Sequence, residues 1–447
     1  MKQWRVLWCS VCVALLILGW AVPAWAFCGF YVAKADTKLF NQASQVAIAR
    51  DGQRTVITMA NDFKGAVSDF AMVVPVPVVL QKEQVHIGNP KILERLDEFS
   101  APRLVEYYDE NPCPPPIPPG SSAGADGGAI PPKPIPALGG DYENKVTVEA
   151  QFDVGEYSIV ILSAKESDSL ETWLIQNGYK IPMGSAALFR PYVRQDMKFF
   201  VAKVNLKAFE KSGFQTLRPI QMAYESPKFM LPIRLGMINA AQAQDLVIYL
   251  LSPKGQGEVT NYRTVNVPSD AKVPLFVNQE FDQVYPALFE TAYQQEGRNV
   301  VFREYAWNMA NCDPCSASPL NSAELKEAGV FWYEEPDGSG YLPPWANQTV
   351  FITRLHARYT RDKFPEDLMF QETANQQTFQ GRYILTHPFE GDLSCPAGRQ
   401  YKRSLPARYE NEAQTLAQLT GWKIETIRQK MNLKPPAEPW WRRLWQE

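Results

Sequence analysis

Alternating apolar and polar residues flank Asp51-Gly52 in the run QVAIARDGQRTVITMA, from Gln45 to Ala60. A period of two sends successive side chains to opposite faces of a strand, and Asp-Gly supplies the turn, so this stretch predicts a β-hairpin. Lys145 to Ser163 predicts a second hairpin, turning at Asp153 to Glu156. Between them, Phe70 to Leu80 (FAMVVPVPVVL) is rich in β-branched residues, but Pro75 and Pro77 each remove a ladder donor. That combination predicts an edge strand or an extended crossing segment. Apolar residues at Ile92, Leu93, Leu96 and Phe99 recur with helical spacing and predict a helix within residues 90–105 that stops before Pro102. A shorter helix is predicted over Ser169 to Asn177, with Leu170, Trp173 and Leu174 on one face and Gly178 ending it.

Farther along, a helix starting near Ser185 is expected to feed a strand over Phe199 to Leu206. Strands are predicted at Pro219 to Tyr224, Met230 to Met237, Asp245 to Leu251, Glu258 to Val265, Val300 to Tyr305, Val350 to Arg358 and Thr378 to Leu385. Helices are predicted at Phe281 to Gln294 and, closing the chain, at Asn411 to Gln429. Strands come in local pairs without regular helices between them, which predicts an α+β fold of mainly antiparallel sheets with a few short helices. The tract Pro112 to Gly140 (PCPPPIPPGSSAGADGGAIPPKPIPALGG) has no periodicity and almost nothing to bury, so it reads as a linker or exposed insertion. Its prolines also resemble a ligand for an aromatic-lined groove. The resulting plan is a β-rich lobe over 27–111, a main α+β domain over 141–430 and an aromatic, basic tail over 431–447, arranged as two lobes or as one large domain carrying the insertion.

The beginning of the chain changes this picture most. Lys2 and Arg5 precede an apolar run from Leu7 to Leu18, and Ala24-Trp25-Ala26 presents small residues where a signal peptidase reads them. Residues 1–26 therefore read as a cleavable export signal, with the mature chain beginning at Phe27 in the periplasm or outside the cell. The apolar run is short for a retained membrane span. Removing the two positive charges of this leader from a net charge of -3 leaves -5, so no basic field exists to attract nucleic acid. In the tail, Trp440, Trp441 and Trp445 alternate with Arg442 and Arg443, a composition suited to peripheral membrane contact or to folding back on the protein's own surface.

Export also sets the state of the cysteines. Once the leader is gone, Cys28, Cys113, Cys312, Cys315 and Cys395 remain in an oxidising compartment. The default is two disulfides and one leftover thiol; Cys28 with Cys113, and Cys312 or Cys315 with Cys395, is one arrangement that spacing alone does not single out. Cys312-Asp313-Pro314-Cys315 also has the spacing of a redox dithiol or half a zinc site, although Pro314 and Pro319 leave no helix continuing from the second cysteine. His356 and His387 follow or sit within strand-like runs and, with Asp362, Glu366 or Asp367, would supply metal ligands. His86 stands alone. Glu334 and Glu335 beside Trp332 are candidate carboxylates for hydrolysis, but neighbours on a strand face opposite sides. Arg361, Asp362, Glu366 and Asp367 form either a ligand-binding loop or an ion-pair network holding the loop over Phe364 and Phe370. No GxSxG elbow or glycine-rich phosphate loop is present, so no catalytic residue and no cofactor is assigned.

Four separated segments carry a family resemblance: Cys28-Gly29-Phe30-Tyr31-Val32-Ala33-Lys34-Ala35, Phe70 to Pro77, Trp307 to Ala310 running into Cys312-Asp313-Pro314-Cys315, and Phe364-Pro365-Glu366-Asp367-Leu368. Together they resemble the bacterial family catalogued as domain of unknown function 2330, over most of the mature chain. The resemblance implies an exported protein with no assigned activity. It places Cys28, Cys312 and Cys315 within the shared segments, which implies a common disulfide scaffold and would look the same for a redox site. The sequence thus points first to a non-catalytic exported protein that binds an unknown protein or small ligand, or serves a structural role at the envelope. The alternatives are an extracytoplasmic enzyme, either a thiol-disulfide oxidoreductase using Cys312 and Cys315 or a hydrolase with carboxylates in 331–372, and a metal-binding protein.

Overall fold

Segments such as Val46-Ala47-Ile48-Ala49 and Leu246 to Leu251 are apolar at both alternating sets of positions, so a sheet made from them has to be covered on both faces. The structure, a computed structural model, describes residues 30–33, 40–41, 44–60, 63–64, 70–113, 146–177, 179, 185–213, 217–237, 243–310, 317–333 and 350–433. The leader, the Pro/Gly tract from residue 114 onward, Cys28, Cys312, Cys315, Glu334, Glu335 and Trp440, Trp441 and Trp445 lie outside these residues. The chain divides into two compact units. Unit 1 draws on Met1–Ala101, Val146–Val265 and Gly297–Phe379; unit 2 draws on Pro102–Lys145, Asn266–Glu296 and Gln380–Glu447. Both are discontinuous along the chain.

In chain order the principal strands are β1 (Phe30–Ala33), β2 (Ser44–Asp51), β3 (Arg54–Met59), β4 (Phe70–Val76), β5 (Val85–Ile87), β6 (Arg103–Tyr108), β7 (Val146–Val154) and β8 (Tyr157–Ala164). They continue as β9 (Lys198–Val204), β10 (Ile220–Glu225), β11 (Gln244–Ser252), β12 (Ala271–Lys272), β13 (Val300–Asn308), β14 (Phe351–Tyr359) and β15 (Arg382–His387). The helices are α1 (Pro90–Ser100), α2 (Ser167–Gln176), α3 (Ala186–Arg194), α4 (Leu206–Ser212), α5 (Val277–Gln295), α6 (Ser322–Glu327), α7 (Pro396–Thr420) and α8 (Ile424–Lys430). The fold is mixed α+β, with mostly antiparallel and some parallel pairing.

Unit 1 is a stack of two sheets with helices on their outer faces. One sheet has the order β1-β4-β9-β8-β7 and is antiparallel among its described pairings. The larger sheet runs β13-β14-β11-β2-β3-β10-β5 through its centre, with β11 and β2 parallel. Val46, Ile48, Leu246, Ile248, Leu355 and Tyr359 from the larger sheet meet Met72, Val74, Ile159, Ile161 and Phe200 from the other in one core. The opposite face of the larger sheet, with Ala47, Ala49, Tyr249, Leu251, Tyr305 and Ile352, is covered by Ile92, Leu93, Leu96 and Phe99 of α1. On the outer side of the smaller sheet, Val73, Phe199 and Val201 pack with Leu170 and Leu174 of α2 and Phe189 and Tyr192 of α3. Burial on both faces is why these strands read as continuous apolar runs.

Local signals place the hairpins and α1. Asp51 pairs with Arg54 across a turn in which Gly52 takes φ +59°, a left-handed conformation that costs other residues more. Gly155 turns β7 into β8 at φ +54°, and a Cβ there would lie 2.7 Å from Cγ1 of Ile87. Asn89 caps α1 by accepting from the Lys91 N–H, with Pro90 at the first helical position.

Four expectations need correction. β4 is internal to its sheet, between β1 and β9, instead of an edge strand. Among the described residues its β1 partners extend only over Phe70 to Val73, so Pro75 lies past them and its missing N–H leaves that pairing intact. The strand expected over Met230 to Met237 stops at Leu231, because Pro232 interrupts the ladder and a 3-10 turn follows over Arg234–Met237. Nor are the helices uniformly short: α5 has 19 residues and α7 has 25. The closing helix starts well before Asn411, at a capped Cys395-Pro396 step, and breaks at Gly421 with φ +69° before α8 begins.

Unit 2 has a small sheet of order β12-β15-β6 in which both pairings are parallel. Tyr383 and Leu385 of β15 share a core with Val277, Val284 and Leu288 of α5, Ala413 and Leu416 of α7, and Ile427 of α8. Cys113, shortly after β6, is bonded to Cys395 at the start of α7. That bridge replaces the pairings of Cys113 with Cys28 and of Cys395 with Cys312 or Cys315: the parallel placement of β15 beside β6 brings both ends together, which spacing along the chain does not reveal.

Candidate functional site

Arg354, His356 and Arg358 occupy every second position of β14, while Leu355, Ala357 and Tyr359 point to the core on the other side. Strand periodicity alone therefore lines three cationic or basic side chains along one face. Their carboxylate partners come from neighbouring strands and from α1. Arg354 donates through Nε to Oε2 of Glu304 at 2.6 Å and through Nη1 to Oδ1 of Asp97 at 2.6 Å. Tyr249 donates its hydroxyl to the same Asp97 oxygen at 2.9 Å. Glu304 Oε1 lies 2.7 Å from Nδ1 of His356, and Oδ1 of Asp245 lies 3.3 Å from its Nε2. Arg358 closes the row with two bonds to Asp245, of 2.6 and 2.7 Å.

Glu304 reaches this face through a break in strand register. Arg303 pairs with Leu355 and Tyr305 with Arg354, leaving Glu304 as the extra residue of a bulge. A bulge re-aims side chains that strict alternation would send elsewhere. The Glu304 side chain is only 1% exposed, so its two cationic neighbours are its compensation for lost water.

These neighbours determine the protonation of the row. Burial would lower the His356 pKa, but the charge of Glu304 and hydrogen bonds to Asp245 and Glu304 outweigh it and raise it to about 9. Burial would raise the Asp245 pKa, yet the hydrogen bonds from His356 and Arg358 bring it below its ordinary value. At neutral pH both ring nitrogens of His356 carry protons, and neither has a lone pair for a metal or for accepting a proton.

The residues expected to form a metal site are engaged elsewhere. His387 belongs to unit 2, where Nε2 is 2.9 Å from Oε2 of Glu106 and the ring stacks on Tyr108 at 4.4 Å. His86 is exposed on β5. Asp367 is buried and accepts from the Tyr192 hydroxyl at 2.7 Å and from the backbone N–H groups of Ile233 and Arg234 at 2.9 and 3.1 Å. Glu366 and Asp362 are exposed, and Arg361 donates to the carbonyl of Met237 at 3.1 Å. Arg361 and Asp367 thus have separate partners, while Phe364 and Phe370 are buried beneath the loop. Among the described residues, no group of three or more His, Cys, Asp or Glu side chains is arranged to hold a metal.

A second, partly buried ionic cluster, in unit 2, had no counterpart in the sequence reading. Asp109 accepts from the Tyr401 hydroxyl at 2.5 Å and from Arg408, and Nε of Arg408 lies 3.5 Å from Oε1 of Glu412. Burial raises the Glu412 pKa to about 7 against the opposing pull of Arg408 and Lys272. Between the sheets of unit 1, Ile57, Val74, Pro75, Met222, Tyr224 and Met230 line an apolar void of about 10 Å³. That is the size of a single water, not of an organic ligand.

A family described as an uncharacterized protein conserved in bacteria, DUF2330, matches residues 22–371. The chain belongs to this DUF2330 family. The match spans most of the length, takes in the ionic row on β14, and ends before α7 and α8 of unit 2. No curated protein and no solved structure matches the chain. Among the described residues no helix is long and apolar enough to cross a membrane.

Proposed function

We propose that this DUF2330 protein is an exported, non-catalytic protein that binds a partner protein or small ligand, or serves a structural role, at the cell envelope. The observation that carries the reading is His356 held between Glu304 and Asp245. With its pKa raised to about 9 by Glu304 and Asp245, His356 is unavailable as a general base or metal ligand at neutral pH, which supports a structural role for it between the strands that carry the two carboxylates. The export signal over residues 1–26 and the disulfide of unit 2 support an oxidising destination.

The test is a mass and peptide map of the native protein from extracytoplasmic fractions, alkylated without reduction, with metal content measured on the same sample. A mature chain beginning at Phe27, no stoichiometric metal and Cys312 and Cys315 inert to exchange are expected. A chain retained in the cytoplasm with its leader, or a Cys312–Cys315 pair cycling reversibly with added dithiol, would overturn the reading.

A further inference from the structure

Cys395 is the N-cap of the 25-residue helix α7, and its Sγ accepts the backbone N–H of Gly398 at 3.1 Å. The unpaired amides and the dipole at a helix start favour negative charge, so a sulfur there is stabilised as a thiolate. The helix side of the local charge is cationic, with Arg399, Lys402 and Arg403 in the first two turns; Glu390 and Asp392 precede it, and Asp392 is tied to Ser394 by bonds of 2.8 and 2.9 Å. Cys113 lies in a bend after β6, and among the described residues no backbone N–H is directed at its Sγ as Gly398 N–H is at Sγ of Cys395. Gly398 gives the first turn room beside both the Leu393 backbone and the bridge: a Cβ there would sit 2.8 Å from Leu393 Cα and 2.9 Å from Sγ of Cys113. Both cysteines are partly exposed, so a thiol in solution reaches the bridge.

We propose that the Cys113–Cys395 bridge is a thiol-exchange site, polarised so that Cys395 is the leaving sulfur and taking a low-molecular-weight thiol or a protein dithiol as co-reactant. The attacking thiolate bonds to Sγ of Cys113 as the Cys113–Cys395 bond breaks, and the electron pair of that bond departs on Sγ of Cys395, where the Gly398 N–H receives it. A second thiolate then releases Cys113, so the bridge gains two electrons while two co-reactant thiols become one disulfide. The better-stabilised thiolate leaves faster, which sets the direction of attack. The proposal concerns Cys113 and Cys395 alone and does not depend on the function proposed above.

The full-length oxidised protein is challenged with reduced glutathione, quenched with N-ethylmaleimide and mapped by peptide mass. Expected is glutathione on Cys113 and the maleimide on Cys395; the reverse pattern, or a bridge that stays closed in the folded protein, overturns the proposal. The pH dependence of alkylation provides a second readout, with Cys395 measured in Cys113→Ser and Cys113 in Cys395→Ser. An acid dissociation constant for Cys395 at least tenfold above that of Cys113 is expected, and equal or inverted constants overturn it.

Discussion

Arg354 in unit 1 and Arg408 in unit 2 both lie beside a buried glutamate, yet only the first pair is closed. Nε of Arg354 reaches Glu304 at 2.6 Å, and the row continues through His356, Asp245 and Arg358 with a partner at each step. Nε of Arg408 stops 3.5 Å from Glu412, and Oε1 of Glu412 and Nε and Nη2 of Arg408 are buried without hydrogen-bond partners. Opposite charge nearby is therefore not sufficient. Desolvation is offset only where hydrogen bonds accompany the attraction, and where they do not, a carboxyl rises toward neutrality.

The strongest challenge to this contrast is Glu304→Ala, which leaves Arg354 and His356 buried without their shared anion. A loss of about 3–5 kcal/mol is expected in urea unfolding; a loss below about 1 kcal/mol would mean that the closed row contributes no more than the open pair. For Glu412, the folded-state pKa is raised from 4.5 to about 7. Its contribution is thus fully present below pH 4.5 and lost as pH rises through about 7. Hydrogen exchange in α7 should accelerate across that window by an equivalent of up to about 3 kcal/mol, and Glu412→Gln should flatten the profile.

His356 has its pKa raised from 6.5 to about 9, so its contribution is intact below pH 6.5 and disappears as pH rises through about 9. Because Arg354 and Arg358 remain bonded to the same carboxylates, a decline of about 2 kcal/mol is expected. Comparing wild type with His356→Asn from pH 6 to 10 isolates it, and parallel curves would show that the imidazole does not titrate in this range. The smallest effect belongs to Arg54 and Glu225, paired at 2.8 Å with side chains 69% and 67% exposed. Arg54→Ala should change the unfolding free energy by less than about 1 kcal/mol, which sets the baseline for an exposed pair.

How much of this was legible along the chain depends on the distance between partners. Asp51-Gly52, the Gly155 turn and the apolar stripe of α1 act within a few residues, and the expected elements formed there. Arg354-x-His356-x-Arg358 opposite an apolar set is a visible sign of a charged strand face, as is a lone Glu304 within an apolar run. What no local pattern indicates is that Asp245 and Glu304, 111 and 52 residues away, meet the same imidazole. Asp367 looked like part of a charged loop, but it is buried as an acceptor for the backbone of Ile233 and Arg234. Spacing leaves Cys312 or Cys315 as possible partners of Cys395, whereas its partner lies 282 residues upstream.

By itself the sequence determined the hairpins, the mixed α+β class and strands apolar enough to need cover on both faces. Periodicity and turn residues act over a few positions, so those features survive any arrangement of the rest. Tertiary structure decided that β2 lies parallel to β11, that β4 is internal, which cysteines join, and which buried charges are satisfied. These are consequences of pairing across hundreds of residues, where the cost of burying backbone groups and charges selects one arrangement among many that the local pattern allows.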